Sequence, residues 1–558
     1  PTIVGKQLVK EMITRDENHP SIIFWSNGNE GGFNYELEPD FALCDKQKRV
    51  VLYPWANRNG FETKHYRSYG ETQEYMRQKE IFMPTEFLHG LYDGGHGAGL
   101  KDYWDMMMAN PRCAGGFLWD LMDQGVVRTD KNNYVDCMGN FGADGIVGPH
   151  AEKEGSYYTI KEVWCPVQLT WNDVEKGELT LSNQYNFVNL KDCRFSYRLL
   201  QMPAMGSTQV KVLKQGNLSS PDVAPGKEAQ VKIPMMANAD AVEIKAVNHE
   251  GEEIMTWSRG VKSEERRVKN SSAPSTSSAA YADQADAVEV KAGGRTYRFA
   301  KKDGRLMGVE VGSKAISLSN GPRFMAARRS DRSLDQFYNH DDKEAEKKKT
   351  LYTEFVDQGA FAGFEWKEAE AKLVATYQHG SLDEVDWQFL SDGSVAVTCH
   401  YNFGGVVDMM GMAFDYPESK VRSKAWVGNG PYRVWQNREQ GPQYGYWQND
   451  YNDPIPAESW DYPEFKGYFA NVKWMQFKTD EGKIGFSGLT ADEHMGVYTP
   501  RDGRDGLLYT LPQTGLAVFK VIPSVRNKVN TTDLNGPSAL PKWLNGKGKT
   551  VFTLNFEL

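Results

Sequence analysis

Along the first 165 residues, short apolar runs alternate with stretches whose apolar residues recur every three or four positions. The runs at 21–25, 50–55, 61–66, 81–86 and 115–119 predict strands, and the spacing at 35–46, 70–79, 100–109 and 152–163 predicts helices. Val4, Leu8 and Met12 mark an earlier helix just after Pro1. Leu100, Tyr103, Trp104 and Met107 form one helical stripe that Asn110-Pro111 terminates, with Met106 to Met108 as core filler. A strand that is apolar nearly throughout, such as Ser21 to Trp25, belongs in a parallel sheet covered on both faces, so this region reads as α/β. The five strands predicted here are fewer than a closed barrel of eight needs, so a barrel at this place lacks its first strands.

After Trp164-Cys165-Pro166 the period changes to two. "GELTLSNQYNF" and "AVEIKAVNHEGEEIMTW" alternate as half-buried antiparallel strands do. The expected fold is therefore multidomain: a partial (β/α)8 TIM barrel over 1–165, an immunoglobulin-like β-sandwich over 166–262 and a large C-terminal β-sandwich over 286–558. The charged and then Ser/Ala-rich stretch at 263–285 reads as a linker. No repeat of fixed period is present.

Composition narrows the function classes. A chain of 558 residues is too long for one core, and a net charge of -9 with no basic stripe argues against binding nucleic acid through phosphates. No apolar run of 18 or more residues marks a transmembrane helix, so no membrane partner is expected. The six cysteines have no metal-binding spacing and leave the compartment open. Aromatic residues make up 12%, and their flat faces suit sugar rings, although sandwich cores use many of them. Asn217, Asn270 and Asn530 begin Asn-X-Ser/Thr triplets, which arise often by chance, and the charged run at 341–350 reads as a solvated surface.

The chemistry sits where apolar runs end. "HPSIIFWSNGNEGG" delivers Asn29 and Glu30 to the end of its strand, "IFMPTEFLHG" delivers Glu86 with His89 after it, and "AGGFLWDLMDQG" ends in Trp119-Asp120. In α/β proteins the carboxyl ends of parallel strands form the site. A strand-end glutamate alone is most often a solvated terminus. Two of them, with an amide, an imidazole and an indole nearby, match the needs of glycoside hydrolysis: one carboxyl to protonate the leaving oxygen and one to attack the sugar carbon. The glycine-rich "GLYDGGHGAGLKDYW" lacks the Lys-Ser/Thr ending of a phosphate loop and reads as the mouth of the site, where Asp93 and His96 could touch substrate.

"RDENHPSIIFWSNGNE" resembles the acid/base signature of glycoside hydrolase family 2. "PTEFLHG" and "YWDMMMANPRCAGGFLWDLMDQG" are similar to that family's nucleophile strand, the following helix and the last barrel strand, and "WVGNGPYRVWQNR" resembles a signature of its β-galactosidases. The resemblance implies Glu30 as acid/base, Glu86 as nucleophile and Asn29 on the sugar's 2-hydroxyl. It also implies Tyr66 as a donor to Glu86, His89 as a sugar ligand and Trp119 as a sugar platform. Glu30 must be protonated when the bond breaks, which asks for partial burial and a neighbouring negative charge. The two carboxyls are expected about 5–5.5 Å apart, the spacing of retaining enzymes.

Phe141 and Asp144 fall near the family's sodium site, but aspartate replaces an asparagine there, so sodium is not carried over. Glu30 is the one magnesium ligand of the family that falls in this chain. The family's jelly-roll domain, first immunoglobulin-like domain and first barrel strands have no counterpart here, so the chain is expected to need a missing N-terminal half of the same protein and to show little activity alone. The expected function is a retaining exo-β-glycosidase, most simply a β-galactosidase, with a carbohydrate substrate and subunits that pair. The alternatives are a β-glucuronidase, whose relatives usually read Ala-Asn-Glu-Pro at the acid/base strand, another family 2 enzyme acting on a plant or algal polysaccharide fragment, with β-mannosidase last, or a non-catalytic carbohydrate-binding protein on a degenerate barrel.

Overall fold

The computed structural model describes residues 2–90, 96–136, 142, 144–261, 279–329, 352–355, 359–450, 467–498, 511–512, 514–525, 527, 529–530 and 532–558. Contacts divide the chain into two compact units, Pro1–Glu152 with Val525–Leu540, and Lys153–Ser524 with Pro541–Leu558.

The first unit is α/β. It runs α1 (Thr2–Asp16), β1 (Phe24–Ser26), α2 (Glu38–Cys44), β2 (Val50–Leu52), β3 (Asn57–Arg58), β4 (Phe61–Glu62), α3 (Tyr69–Tyr75), β5 (Ile81–Phe82) and α4 (Leu100–Met108). β1 lies parallel to β2 and β4 parallel to β5, and single parallel bridges join Phe82 to Cys113 and Phe87 to Leu118. The strand expected at 115–119 is thus a bridge and not a ladder: Gly115 and Gly116 supply no side chain to pack on a neighbour. Helix α1 buries Val9 and Ile13, while Val4 and Leu8 of the expected stripe face solvent. Gly5 favours this rotation, since a Cβ there would lie 2.7 Å from the Leu37 side chain, and its absence lets this face of α1 approach Leu37 closely. Helix α3 opens on a capping box in which Ser68 and Glu71 satisfy each other's backbone N–H groups.

The second unit begins with α5 (Gly155–Val163) and is otherwise antiparallel β. A sheet of four strands and one of three share one core, with Leu179 and Leu181 from one layer and Phe195, Ile244 and Trp257 from the other. Beyond it, sheets of ten and nine strands enclose a second core that holds Phe299, Trp387, Phe389, Phe414 and Trp426, all fully buried. The strand Val395–Val407 pairs along its whole length with Lys542–Glu557. Alternation of buried and half-exposed residues along these strands is the period of two read from the sequence.

Three expected boundaries fall differently. Helix α5 groups with the β-rich unit and not with residues 1–152. In the stretch read as a linker, 262–278 lies outside the described residues, but Ala280–Asp283 is a strand paired with Ala287–Ala292, and Tyr281 stacks on Trp366. Val525–Leu540, expected in the last sandwich, belongs to the α/β unit. The charged run at 341–350 also lies outside the described residues. Among the described residues no helix is long and apolar enough to cross a membrane, and Cys44, Cys113, Cys165, Cys193 and Cys399 are free thiols.

Candidate active site

The turn after β1 is built to present two side chains. Gly28 has φ 79°, and a Cβ on it would lie 2.4 Å from the Gly32 carbonyl oxygen, so only glycine fits. Asn27, buried beneath, accepts no strain of its own but ties the turn down: its N–H donates to Leu52 O (2.9 Å) and its side-chain amide to Asn34 O (2.9 Å). Asn29 and Glu30 are left exposed at the tip, Glu30 in the left-handed region at φ 46°.

Glu86 follows β5 on a segment held on both sides. Met83 N–H donates to Glu62 O at 2.9 Å on one side, and Phe87 N–H to Phe117 O at 2.9 Å on the other. Its carboxylate is buried and receives the Tyr66 hydroxyl on Oε2 and the Asn29 amide on Oε1 at 3.5 Å. Burial and then the adjoining Glu86 carboxylate push the Tyr66 phenol far above its ordinary value, so it stays a donor.

Between the two glutamates stands His65, a residue the sequence reading passed over. Its Nδ1 lies 3.3 Å from Glu30 Oε1 and 3.5 Å from Glu86 Oε2. Its Nε2 lies 2.8 Å from Thr85 Oγ1, which donates onward to Thr63 O at 3.2 Å. Thr85 must therefore accept the Nε2 proton, which leaves Nδ1 facing the carboxylates. The only signal for His65 in the sequence was adjacency to Tyr66 in "TKHYRSYGE".

One donor atom each from Glu30, His65 and Glu86 lies within 4.8 Å of the others, a group able to hold a cation. A ring nitrogen with two carboxylates suits a zinc-class ion; magnesium prefers an all-oxygen octahedron with several waters. Glu30, His65 and Glu86 are the residues of this chain that would hold a cation beside the acid/base position. A second group, Glu384, Asp386 and His400, lies in the β-rich unit, where the Lys372 ammonium sits 3.6 Å from Asp386 and competes for it.

A third set of residues flanks Glu86. The Trp119 indole donates to Asp144 Oδ2 at 3.1 Å, and His89 Nε2 lies 3.5 Å from the same oxygen. The His89 ring stands 5.5 Å from that of Tyr66. The structure thus brings Asn29, Glu30, Tyr66, Glu86, His89, Trp119 and Asp144 into one connected set. Asp144 acts there as an anchor for Trp119 and His89 through its Oδ2. His96, expected to touch substrate, does not: it is fully buried, with ring nitrogens 3.1 Å from Leu88 O and 2.7 Å from Asp144 O. Burial pushes its imidazole down to about 4, so as a neutral ring it donates to one of these two carbonyls and only packs against the other. Asp93 and Phe141 lie outside the described residues.

Comparison with known proteins covers most of the chain in three parts. Residues 4–146 match the TIM barrel domain of the family 2 glycosyl hydrolases, 179–256 match β-galactosidase domain 4, and 291–517 match the β-galactosidase small chain. The chain is similar to a β-galactosidase of Oenococcus oeni, 21% identical over 96% of this chain and 56% of that protein. It is also similar to one of Clostridium acetobutylicum, 23% identical over 78% of this chain and 51% of that protein. A β-galactosidase of Priestia megaterium is 29% identical over 32% of this chain and 19% of its own length. The chain spans at most a little over half the length of these relatives. Among solved structures, an exo-chitosanase of Amycolatopsis orientalis matches 86% of this chain and 52% of its own with a TM-score of 0.25 at 9% identity.

Proposed function

We propose that this chain, which belongs to glycoside hydrolase family 2, carries the catalytic pair of a retaining exo-β-glycosidase, with a terminal β-linked galactosyl residue as its sugar. The observation that carries this reading is the closeness of Glu30 and Glu86, whose carboxylate oxygens approach within 4.8 Å. Inverting enzymes hold their carboxyls about 6.5–9.5 Å apart to seat a water between them, and the closer approach of these two carboxylates supports the retaining reading. The α/β unit is read as the last strands of a (β/α)8 barrel, the four- and three-stranded layers as an immunoglobulin-like sandwich, and the ten- and nine-stranded sheets as the large C-terminal sandwich.

In the first step the Glu30 carboxyl gives its proton to the glycosidic oxygen while the Glu86 carboxylate attacks the anomeric carbon. The bond to the leaving group breaks and a glycosyl ester of Glu86 forms. In the second step Glu30, now a carboxylate, takes a proton from a water that attacks the same carbon and displaces Glu86. Two inversions restore the starting configuration. Tyr66 holds the Glu86 carboxylate aimed through its hydroxyl. Asn29 is placed to bind the sugar beside Glu86, with Trp119 as its platform and His89 at its rim.

Turnover of p-nitrophenyl β-galactoside, β-glucuronide and β-mannoside by the purified full-length protein, with Glu30→Gln and Glu86→Gln as controls, tests this. Galactoside turnover lost in both variants, with β-galactose as the first sugar seen by NMR, is the expected result. Release of the α-anomer would overturn the mechanism, and a faster β-glucuronide would move the sugar. Sugar binding without turnover would place the protein in the carbohydrate-binding class.

A further inference from the structure

Tyr66 is held in a conformation its own chemistry disfavours. Its φ is 49°, in the left-handed region that side chains other than glycine adopt at a cost, so its surroundings must fix it there. All three of its polar groups are engaged. The N–H donates to Glu86 O at 3.2 Å, the hydroxyl donates to the Glu86 carboxylate, and the carbonyl accepts the side-chain amide of Asn530 at 3.1 Å.

Asn530 reaches Tyr66 from 464 residues further along the chain. It is buried, and its own N–H donates to Asn527 Oδ1 at 2.8 Å. The Asn527 amide in turn donates to Asn535 Oδ1 at 2.9 Å, and Asn535 is fully buried. Gly99, at the start of α4, lies so close that a Cβ there would be 2.8 Å from Asn535 O. Farther along, Ser538 donates to Asp102 Oδ2 through its N–H (2.8 Å) and its hydroxyl (2.6 Å), in the first turn of α4. The same helix sends the Tyr103 hydroxyl to Arg67 O at 3.0 Å, one residue past Tyr66. Segment 525–540 is therefore stapled to α4 at one end and grips the Tyr66 turn at the other. Burial and the bond to Tyr66 also make Asn530 unsuitable as a glycan acceptor.

We propose that Asn530 is a positioning residue for the nucleophile: by binding the Tyr66 carbonyl it fixes the left-handed turn from which the Tyr66 hydroxyl meets Glu86. The inference rests on the retaining-glycosidase reading of this site. A hydrogen bond from Tyr66 that is displaced by a fraction of an ångström no longer matches the carboxylate in the transition state, which lowers kcat more than it raises KM.

The test is a double-mutant cycle with the substrate the protein turns over, combined with amide hydrogen exchange. Asn530→Ala should lower kcat about tenfold or more with KM changed about twofold at most. In a Tyr66→Phe background the same substitution should cause no further loss, because the hydroxyl it acts through is gone. Exchange in the 63–69 stretch should quicken while the melting temperature stays within a degree or so of the parent's. Asn530→Leu, of similar volume and unable to donate to a carbonyl, should behave alike and serves if the alanine variant does not fold. An unchanged kcat, or an equal loss with and without the Tyr66 hydroxyl, would overturn the proposal while leaving the glycosidase reading intact. If the parent protein turns over no glycoside, that reading fails, and the exchange measurement alone decides: quickened exchange at 63–69 supports the positioning role and unchanged exchange overturns it.

Discussion

In the β-rich unit the strand Val395–Val407 keeps register with Lys542–Glu557 through 13 residues, whereas in the α/β unit β4 and β5 are two residues each. The long ladder satisfies its backbone groups on the spot, so its side chains need only fill the core, and Val397, Cys399, Phe552 and Leu554 do so at zero exposure. The short ladders stop where the chemistry begins. Beyond them Glu30, Tyr66 and Leu88 turn at φ 46°, 49° and 47°, and hydrogen bonds from side chains take over the work of a strand partner. The β-rich unit satisfies its backbone along long ladders. The other interrupts its regularity to aim polar groups, and it needs anchors such as Asn27, Thr85 and Asn530 to hold the interruptions in place.

The contrast can be broken from either side. Glu86→Gln should lower kcat by a factor on the order of ten thousand or more while the melting curve stays as it was, since the amide fills the same space and removes only the nucleophile. Retained turnover would separate the α/β unit from catalysis. Phe389→Ala should do the reverse: the loss of a fully buried ring that packs 5.1 Å from Tyr297 should cost about 3–5 kcal/mol in denaturant unfolding. KM and kcat of the protein that remains folded should not move.

Tyr66→Phe is a smaller probe of the aimed region. It removes one hydrogen bond to a charged group, and turnover should fall roughly ten- to a hundredfold at constant stability. The smallest effect expected is a pH dependence. Burial, with the charges of Asp144 and Asp120 added, raises the Asp123 carboxyl to about 7, although it accepts the Gly145 N–H at 2.7 Å. The folded state therefore binds this proton more tightly than the unfolded state, whose carboxyl titrates near its ordinary value of 3.8. The stability it contributes is full below that value and is lost as pH rises toward about 7. Asp123→Asn, which keeps an acceptor for Gly145, should flatten the fall of the melting temperature between pH 4 and 7. An unchanged slope would show that the proton is not held there.

The two strand-end glutamates were legible because an apolar run that ends in a polar pair is a local pattern, and the alternating strands after Pro166 were legible because a period of two repeats over each strand. The rotation of α1 was not, since a stripe of Val4 and Leu8 looks the same whether it meets a core or water, and Gly5 favours the observed rotation only through its close approach to Leu37. His96 was misread for a related reason. A histidine in a glycine-rich loop carries no mark of whether its nitrogens face a substrate or two backbone carbonyls.

What the sequence determined by itself is the order of the layers and the proposed catalytic pair, because both are written in contiguous residues whose periodicity and polarity report burial directly. What only the tertiary structure decided is who stands beside that pair. His65 comes between the glutamates through the hydroxyl of Thr85, in the segment after β5, and Asn530 returns to the Tyr66 turn after 464 residues. A hydrogen bond across such a distance leaves no trace in local pattern, since any buried asparagine satisfies the same rule of polarity and the folded chain alone selects which carbonyl it meets.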